Sequence, residues 1–159
     1  PGFEKVQQGV HEELFDNVIP FWLNHSTDKN RGGFFSCLDQ KGEIYDRRKF
    51  MWLNGRQIWM YARLASSSDV EQELKVKLLD QASKAADFLL EYCYNEDGLV
   101  YFSLNEDGKP HSFQRKIFSA CFLCIGLGAL SKHKTLLNVA KYRSEAQKLL
   151  HSIIRLSHG

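Results

Sequence analysis

The feature that most constrains this chain is a repeat of about 66 residues that joins a short strand, a glycine turn and an aromatic-rich helix. Segments 33–38 and 99–104 carry the apolar and aromatic residues typical of strands, and they enter turns that contain Gly42 and Gly108. An aromatic-rich helix is predicted about ten residues after each turn. Helix pairs that repeat at this length cannot bury their apolar faces singly, so they stack into a solenoid or close into a ring.

Five helices are predicted, four from apolar residues that recur at helical spacing and one, over 52–64, from a segment that mixes aromatics with polar residues. Their ranges are 3–22, 52–64, 71–92, 117–130 and 136–153. The first stripe, from Phe3 to Trp22, predicts a helix with one buried face and a kink at Pro20. The helix over 117–130 is apolar nearly all round and suits an inner position, whereas the charged helix over 71–92 suits an outer one.

The predicted fold is all-α, with the whole of residues 1–159 in a single domain. The repeated helical hairpins indicate part of a toroid, the (α/α)6 barrel, with short β-hairpin loops between the helices. A closed ring of this kind has about twelve helices, and the sequence predicts five of them. We therefore expect the N-terminal portion of such a barrel, and we expect the apolar faces that it leaves open to promote aggregation or dimerisation.

Composition excludes several classes of partner. The 21 basic and 19 acidic residues give a net charge of +2 and form no basic block, so neither nucleic acid nor a membrane surface is an expected partner. No run approaches the roughly 18 apolar residues of a membrane span. The four cysteines lie among apolar residues, which is typical of reduced thiols in a cytoplasmic protein.

Cys121 and Cys124 have the spacing of a metal-binding pair, but no second pair or histidine follows at ligand distance. Packed thiols inside a helix are the preferred interpretation, and no metal site is predicted. The six histidines form no ligand grouping and are interpreted as surface or hydrogen-bonded residues: His11, His25, His111, His133, His151 and His158.

Arg56 is the strongest candidate for a binding residue. It lies in a helix rich in aromatics, where a guanidinium must meet a partner, water or a ligand. One interpretation is a clamp on sugar oxygens, and the alternatives are an ion pair with Asp46 or a salt bridge at the rim of the ring. Trp52, Tyr45 and Tyr101 are candidates for stacking on a sugar or bonding its hydroxyls, with simple core packing as the alternative.

Three stretches resemble the N-acylglucosamine 2-epimerase family, which includes renin-binding protein. They are Gly32–Leu38, Gly42–Asp46 and Lys49–Tyr61, the last reading Lys-Phe-Met-Trp-Leu-Asn-Gly-Arg-Gln-Ile-Trp-Met-Tyr. The block 117–122, Ile-Phe-Ser-Ala-Cys-Phe, is similar to the fourth helix of the family, and 21–26 is similar to the animal members. The resemblance extends over nearly the whole chain but over only about the first two fifths of a full member.

The resemblance implies an (α/α)6 barrel that interconverts N-acetylglucosamine and N-acetylmannosamine by removing and returning the proton at carbon 2. Arg56, Trp52, Tyr101 and Tyr45 are then substrate-binding residues. The acid and base are histidines that the family carries on later helices, so the catalytic residues are expected beyond this chain, which alone should be inactive. No cofactor is implied, although ATP modulates family members and is the expected effector.

The family also leaves alternatives open. A related aldose-ketose isomerase or cellobiose 2-epimerase shares the barrel and the arginine, and a non-catalytic protein that binds renin is the alternative from a different class. The expected partners are an amino sugar and a second subunit in a homodimer, with renin under the non-catalytic alternative. Family members generally carry an acidic residue where this chain has Ala120, and nothing in the sequence explains the change.

Overall fold

The computed structural model describes residues 2–157, and within them the chain is mostly helical. The elements in order are α1 Gly2–Glu12, a π-helical turn Glu13–Val18, α2 Ile19–His25, β1 Cys37–Leu38, β2 Ile44–Asp46, β3 Lys49–Phe50, α3 Met51–Ala65, α4 Gln72–Tyr92, β4 Ser103–Leu104, β5 Pro110–Ser112, α5 Phe118–Leu130 and α6 Val139–Ser157. The helices predicted over 52–64, 71–92 and 117–130 are confirmed within one residue at each end. None of the helices within 2–157 combines the length and apolar character needed to cross a bilayer.

The first predicted helix is present, but its predicted buried face is wrong. Phe3, Val6 and Val10 are 81%, 64% and 64% exposed, because α1 projects beyond the core that buries Ile19 and Leu23. The irregularity expected at Pro20 lies just before it, as the π-helical turn Glu13–Val18. Proline has no amide hydrogen and its ring crowds the carbonyl four residues earlier, so the regular helical pattern is interrupted there.

Both predicted glycine turns are confirmed, and a third of the same kind precedes the second repeat. The turns Asp39–Gly42, Asn95–Gly98 and Asn105–Gly108 each close with a glycine amide that donates to the first residue's carbonyl at 3.0 Å. All three glycines have positive φ, between 73° and 88°, which only glycine adopts readily. The strands that enter the predicted turns are shorter than expected, two residues each instead of six.

A small sheet joins the two repeats. β3 pairs antiparallel with β4, which pairs with β5, in the order β3-β4-β5. The amide of Met51 continues this ladder by donating to the Phe102 carbonyl at 3.0 Å. The first residues of α3 are therefore fixed to the hairpin of the second repeat, whereas β1 and β2 form a separate two-stranded sheet.

Helices α3 and α5 lie side by side with their backbones in contact. A Cβ atom added at Gly55 would meet the Phe122 carbonyl carbon at 2.5 Å, and one added at Gly126 would meet the Gly55 oxygen at 2.7 Å. This approach is open only to glycine at both positions. Helix α4 packs on α3 and helix α6 packs on α5, so each repeat contributes one helix to a central pair and one that covers it.

An offset of 66 residues maps α3 onto α5, and seven of the 15 paired positions match in burial. The positions buried in both helices are Gln57 and Leu123, Tyr61 and Leu127, and Ala65 and Ser131. The positions that are exposed or half-buried in both are Trp52 and Phe118, Arg56 and Phe122, Trp59 and Ile125, and Arg63 and Ala129. The hairpin–helix repeat predicted from sequence is confirmed by the order of the elements, and the exposed faces of α3 and α5 occupy equivalent positions in the two repeats.

Candidate functional site

The site candidate is the exposed face shared by α3 and α5. On α3 it follows the i, i+4, i+7 spacing of a helix surface, and on α5 it occupies the equivalent positions. Unlike an ordinary solvent-exposed helix face, it is formed largely by aromatic side chains, with two guanidinium groups among them. Its residues are Trp52, Arg56, Trp59 and Arg63 on α3, and Phe118, Phe122 and Ile125 on α5.

Arg56 lies at the centre of this face with its side chain exposed. Its guanidinium carbon is 5.9 Å from the centroid of the Trp52 ring and 5.7 Å from that of Phe122. Both distances are within the range of cation–π attraction. None of the ion pairs among residues 2–157 involves Arg56. Its guanidinium is therefore held in place by the two aromatic rings, and no carboxylate accepts from its N–H groups.

The predicted alternative of an ion pair between Arg56 and Asp46 is wrong. Arg48 takes that carboxylate, with its Nε donating to Asp46 Oδ2 at 2.9 Å. The hydrogen bond from Arg48 is the main reason that the pKa of Asp46 is lowered. Arg48 lies only two residues away along the chain, which makes this local pair easier to form than one that reaches into α3.

Trp52 forms an aromatic cluster with two phenylalanines of the second repeat. Its ring centroid is 5.7 Å from Phe118 and 6.1 Å from Phe122, and the two phenylalanines meet edge to face at 4.9 Å. Such arrangements contribute about 0.5–1.5 kcal/mol beyond burial for each pair. Phe118 is nevertheless 52% exposed, so the cluster keeps an open aromatic surface beside Arg56.

The opposite side of α3 fixes this cluster in place. Asn54 is fully buried; its Oδ1 accepts from the Phe34 amide at 2.7 Å, and its Nδ2 donates to the Phe34 and Phe50 carbonyls at 3.1 Å. Gln57 is also buried and donates to Ser26 Oγ at 2.6 Å. Much of the motif that suggested a binding helix therefore anchors the helix, while Trp52 and Arg56 point the other way.

Lys49, just before α3, is a fully buried cation whose three donors are all used. Its Nζ donates to Asp28 Oδ2 at 2.7 Å, to the Gly32 carbonyl at 2.6 Å and to the Glu106 carbonyl at 2.9 Å. The same nitrogen lies 3.9 Å from the centroid of the Phe88 ring. Burial is the main cause that lowers the pKa of Lys49, and Asp28 opposes it. This lysine ties the first repeat to the turn of the second.

The other two predicted binding residues lie outside the aromatic cluster. Tyr45 is on β2 with 74% of its side chain exposed, between the half-buried Ile44 and Asp46. Tyr101 is half-buried and packs against the core, with its ring edge-on to Phe113 at 6.4 Å. The structure therefore brings together Arg56 and Trp52, and it places Tyr45 on β2 and Tyr101 just before β4, in the segments that precede the two central helices.

Among the residues that the structure describes, the histidines do not gather into a site. His111 Nδ1 lies 3.1 Å from Ser103 Oγ, and His133 Nε2 lies 2.9 Å from the Ala62 carbonyl, both contacts that join structural elements. His158 lies outside the described residues. Cys121 and Cys124 are free thiols in mid-helix, and Cys124 Sγ donates to the Ala146 carbonyl at 3.3 Å, in agreement with the packed-thiol interpretation.

Phe118 and Phe122 were missed as site residues by the interpretation of the sequence, although a signal was present. The 66-residue offset carries Trp52 onto Phe118 and Arg56 onto Phe122, so the repeat itself indicated which positions share the exposed face. An aromatic surface with an unpaired guanidinium at its centre suits a polyhydroxylated ligand. The rings can cover sugar C–H groups while the guanidinium donates to oxygens.

A family model described as N-acylglucosamine 2-epimerase (GlcNAc 2-epimerase) matches residues 33–156. The chain belongs to the N-acylglucosamine 2-epimerase family. The matched range includes both hairpins, both central helices and the whole aromatic cluster. The family resemblance noted in the sequence is therefore confirmed.

Three relatives are similar to this chain over most of its length. The N-acylglucosamine 2-epimerases of Mus musculus and Homo sapiens are 42% and 37% identical over 147 and 150 residues. The cellobiose 2-epimerase of Bacteroides fragilis is 28% identical over 129 residues. These matches cover 91%, 93% and 78% of this chain, but the chain spans only 34%, 34% and 31% of the three relatives.

Solved structures of epimerases share the fold. A sugar epimerase from a ruminal bacterium superposes with a TM-score of 0.72 at 25% identity and covers 94% of this chain. Cellobiose 2-epimerase from Spirochaeta thermophila superposes with a TM-score of 0.75 at 23% identity and covers 96% of it. The chain corresponds to 36% and 37% of these structures.

Proposed function

We propose that this chain supplies part of the sugar-binding wall of an epimerase that interconverts N-acetylglucosamine and N-acetylmannosamine. The observation that carries the proposal is Arg56, held without a carboxylate partner over Trp52 and Phe122 on an exposed face. Family membership supports the reaction class. The choice of an N-acyl sugar follows from identities of 37–42% to N-acylglucosamine 2-epimerases, against 28–30% to cellobiose 2-epimerases.

The proposed architecture is an arc of an (α/α)6 barrel, with α3 and α5 as inner helices and α4 and α6 as outer ones. Residues 1–159 form a single domain in this proposal. The exposed face of α3 and α5 then lines the central cavity, which explains why aromatics and arginines occupy positions that face away from the core. The equivalent exposure of the two helices supports this arrangement.

The proposed chemistry removes the proton at carbon 2 of the open-chain sugar and returns one to the opposite face. As that proton leaves, negative charge develops on the carbon 1 oxygen, and Arg56 stabilises it by donating hydrogen bonds. Trp52 and Phe118 hold the sugar by stacking. The acid and base are expected to come from family residues beyond this chain, so the chain alone should show no turnover.

A chimera tests the proposal. The segment of the mouse relative that matches this chain is replaced by residues from this chain, and epimerisation is measured with N-acetylmannosamine, mannose and cellobiose. We expect turnover of N-acetylmannosamine, and a loss of about 100-fold in kcat/KM for Arg56→Met because one donor to the developing charge is removed. Arg155→Met, at an exposed arginine on α6 outside this face, is the matched control and should change kcat/KM much less.

Activity restricted to mannose or cellobiose would move the assignment to the related isomerases. An Arg56→Met chimera as active as the parent would remove the arginine from the mechanism. The remaining proposals follow the family: a cytoplasmic homodimer, no cofactor, and ATP as an effector. The exposed apolar stripe on α1 supports a protein partner as a second function, for which renin is the family's precedent.

A further inference from the structure

The serines that precede acidic residues differ sharply in how far the fold exposes them. Four serines have a carboxylate three positions later along the chain: Ser36, Ser66, Ser68 and Ser103. Serine kinases with a basic substrate groove select this spacing, because the groove complements the charge of the carboxylate. A phosphoryl acceptor must also present its hydroxyl to the kinase, so burial decides which of the four can react.

Burial excludes two of the four. Ser103 is fully buried on β4, and its Oγ lies 2.7 Å from Ser112 Oγ in the neighbouring strand. The hydroxyl of Ser36 is buried just before β1. A kinase would reach either oxygen only after the strands around it had separated.

The other two serines lie in the linker 66–71 between α3 and α4, and both are exposed. The Oγ of Ser66 already has a structural partner, because it donates to the Ala62 carbonyl in the last turns of α3 at 3.0 Å. The Oγ of Ser68 donates to Asp69 Oδ1 at 3.1 Å, an exposed carboxylate next to it in sequence. Ser68 is therefore the acceptor that gives up least when its hydroxyl enters another protein's cleft.

The residues after Ser68 are acidic and open to solvent. Asp69, Glu71 and Glu73 stand one, three and five positions later, and all three are exposed. Glu71 is the N-cap residue of α4, but its side chain makes no capping hydrogen bond. Its carboxylate is therefore free to meet the basic groove of a kinase without loss to the helix.

Two lysines lie beside the linker on the turn that follows α5. His133 Nε2 lies 3.3 Å from Ser66 Oγ and 2.9 Å from the Ala62 carbonyl, which brings that turn against the end of α3. Lys132 and Lys134 flank the histidine and are both exposed. None of the ion pairs within residues 2–157 involves either lysine. A phosphoserine, which carries a charge of about −1.5 to −2 at pH 7, would find two cations next to it.

We propose that Ser68 is a phosphorylation site for an acid-directed serine kinase, and that Lys132 and Lys134 hold the phosphate. In the transfer, Ser68 Oγ forms a bond to the γ-phosphorus of ATP while the bond from that phosphorus to the β,γ-bridging oxygen breaks. The hydroxyl proton passes to the general base of the kinase, and ADP leaves with the electron pair of the broken bond. The phosphate then ties the α3–α4 linker to the turn after α5.

Phosphorylation in vitro tests the acceptor. The 159-residue chain and the mouse chimera are incubated with ATP and a recombinant serine kinase that selects an acidic residue three positions after the acceptor, and phosphopeptides are mapped by mass spectrometry. We expect phosphate on Ser68, none at that peptide in Ser68→Ala, and a rate about tenfold lower in Glu71→Gln. Glu96→Gln, which removes an exposed carboxylate from the turn Asn95–Gly98, is the matched control and should leave the rate unchanged.

Thermal unfolding tests the two lysines. Phosphorylation should raise the Tm of the chain by about 2 °C, the shift expected of a surface ion pair in a chain of this size. The same comparison in the double variant Lys132→Gln/Lys134→Gln should show no rise. Lys5→Gln/Lys41→Gln removes two exposed lysines elsewhere in the chain and should keep the full rise.

Three results would overturn the proposal. The first is phosphate on Ser36, Ser66 or Ser103 while Ser68 stays unmodified. The second is a chimera in which Ser68 is not phosphorylated, because the rest of an epimerase polypeptide would then cover the linker. The third is a Tm that phosphorylation leaves unchanged, or a rise that survives the loss of both lysines. Epimerase activity is not a readout in these experiments, so failure of the proposed function would not affect their outcome.

Discussion

Replacing Gly55 with alanine should separate the two central helices and destabilise the protein measurably. The new Cβ would lie 2.5 Å from the Phe122 carbonyl carbon, 2.6 Å from its oxygen and 2.7 Å from the Leu123 nitrogen. All three are backbone atoms, so no side chain can rotate away. Ordinary van der Waals contact begins at 3.4 Å, and the helices must therefore part by about 0.9 Å.

The size of the effect follows from what such a gap costs. A gap of 0.5–1 Å forfeits about a quarter to a half of the dispersion energy of the atoms that face it. Met51, Ile58, Leu123 and Leu127 are fully buried in and beside this interface, and each side chain contributes about 2 kcal/mol through burial. Losing about a third of that total costs about 3 kcal/mol, and the better helix propensity of alanine returns about 1 kcal/mol.

We therefore expect Gly55→Ala to lower the free energy of unfolding by about 2 kcal/mol, which corresponds to about 4–8 °C in Tm for a chain of this size. Gly128→Ala is the control, because position 128 lies in α5 and a Cβ there meets open space. This variant should be more stable than the parent by about 0.5–1 kcal/mol. Urea and thermal unfolding followed by circular dichroism measure both. If the two variants fell within 0.5 kcal/mol of each other, the backbone contact would not govern the packing.

Three further outcomes follow from single groups. Lys49→Met should lower the free energy of unfolding, measured with urea, by about 3–5 kcal/mol because Asp28 is left buried without its partner. Adding Asp28→Asn should recover more than half of that loss, and equal losses in the single and double variants would contradict the prediction. Burial raises the pKa of Cys93 to about 12, so its thiol should stay unlabelled at pH 8 until the protein unfolds, and rapid labelling in the native state would refute its burial. The hydrogen bond from Arg47 lowers the pKa of Glu106 below its usual 4.5, so the stability that it contributes is present above pH 4.5 and lost as the pH falls through the lowered pKa. NMR titration of Arg47→Gln should return that pKa towards 4.5, and an unchanged pKa would contradict the assignment.

Periodicity and repeat length predicted the elements of this fold well, because both are local properties. The helices over 71–92 and 117–130 were found from their apolar spacing, and the turns at Gly42 and Gly108 were found because positive φ favours glycine. The same reasoning failed for α1. Its stripe has helical spacing, but spacing alone does not show whether a partner covers the stripe, and Phe3 is 81% exposed.

The site was predicted only in part, because a sequence pattern indicates contacts along one helix but not contacts between distant segments. Arg56 and Trp52 lie one turn apart on one helix, so their contact follows from helical geometry. Lys49 and Asp28 are 21 residues apart, and their pairing depends on how the loop before β1 folds back over the strand before α3. No local pattern indicates such a contact. The family motif drew attention to Arg56 without showing that Asn54 and Gln57, in the same stretch, are buried anchors.

The two faces of α3 explain how Arg56, which we propose binds the substrate, can be exposed on a helix whose other faces are buried. Gly55 brings the α5 backbone so close that α3 cannot rotate, and Asn54 fixes its first turn to the Phe34 and Phe50 backbone. The orientation of Arg56 is therefore set by its immediate neighbours in sequence, which face the opposite way. A ligand that meets Arg56 does not have to pay the entropy of ordering the helix, because packing has already ordered it. We therefore expect Gly55→Ala to weaken sugar binding in the chimera, although Gly55 lies against the α5 backbone and away from the exposed face of α3.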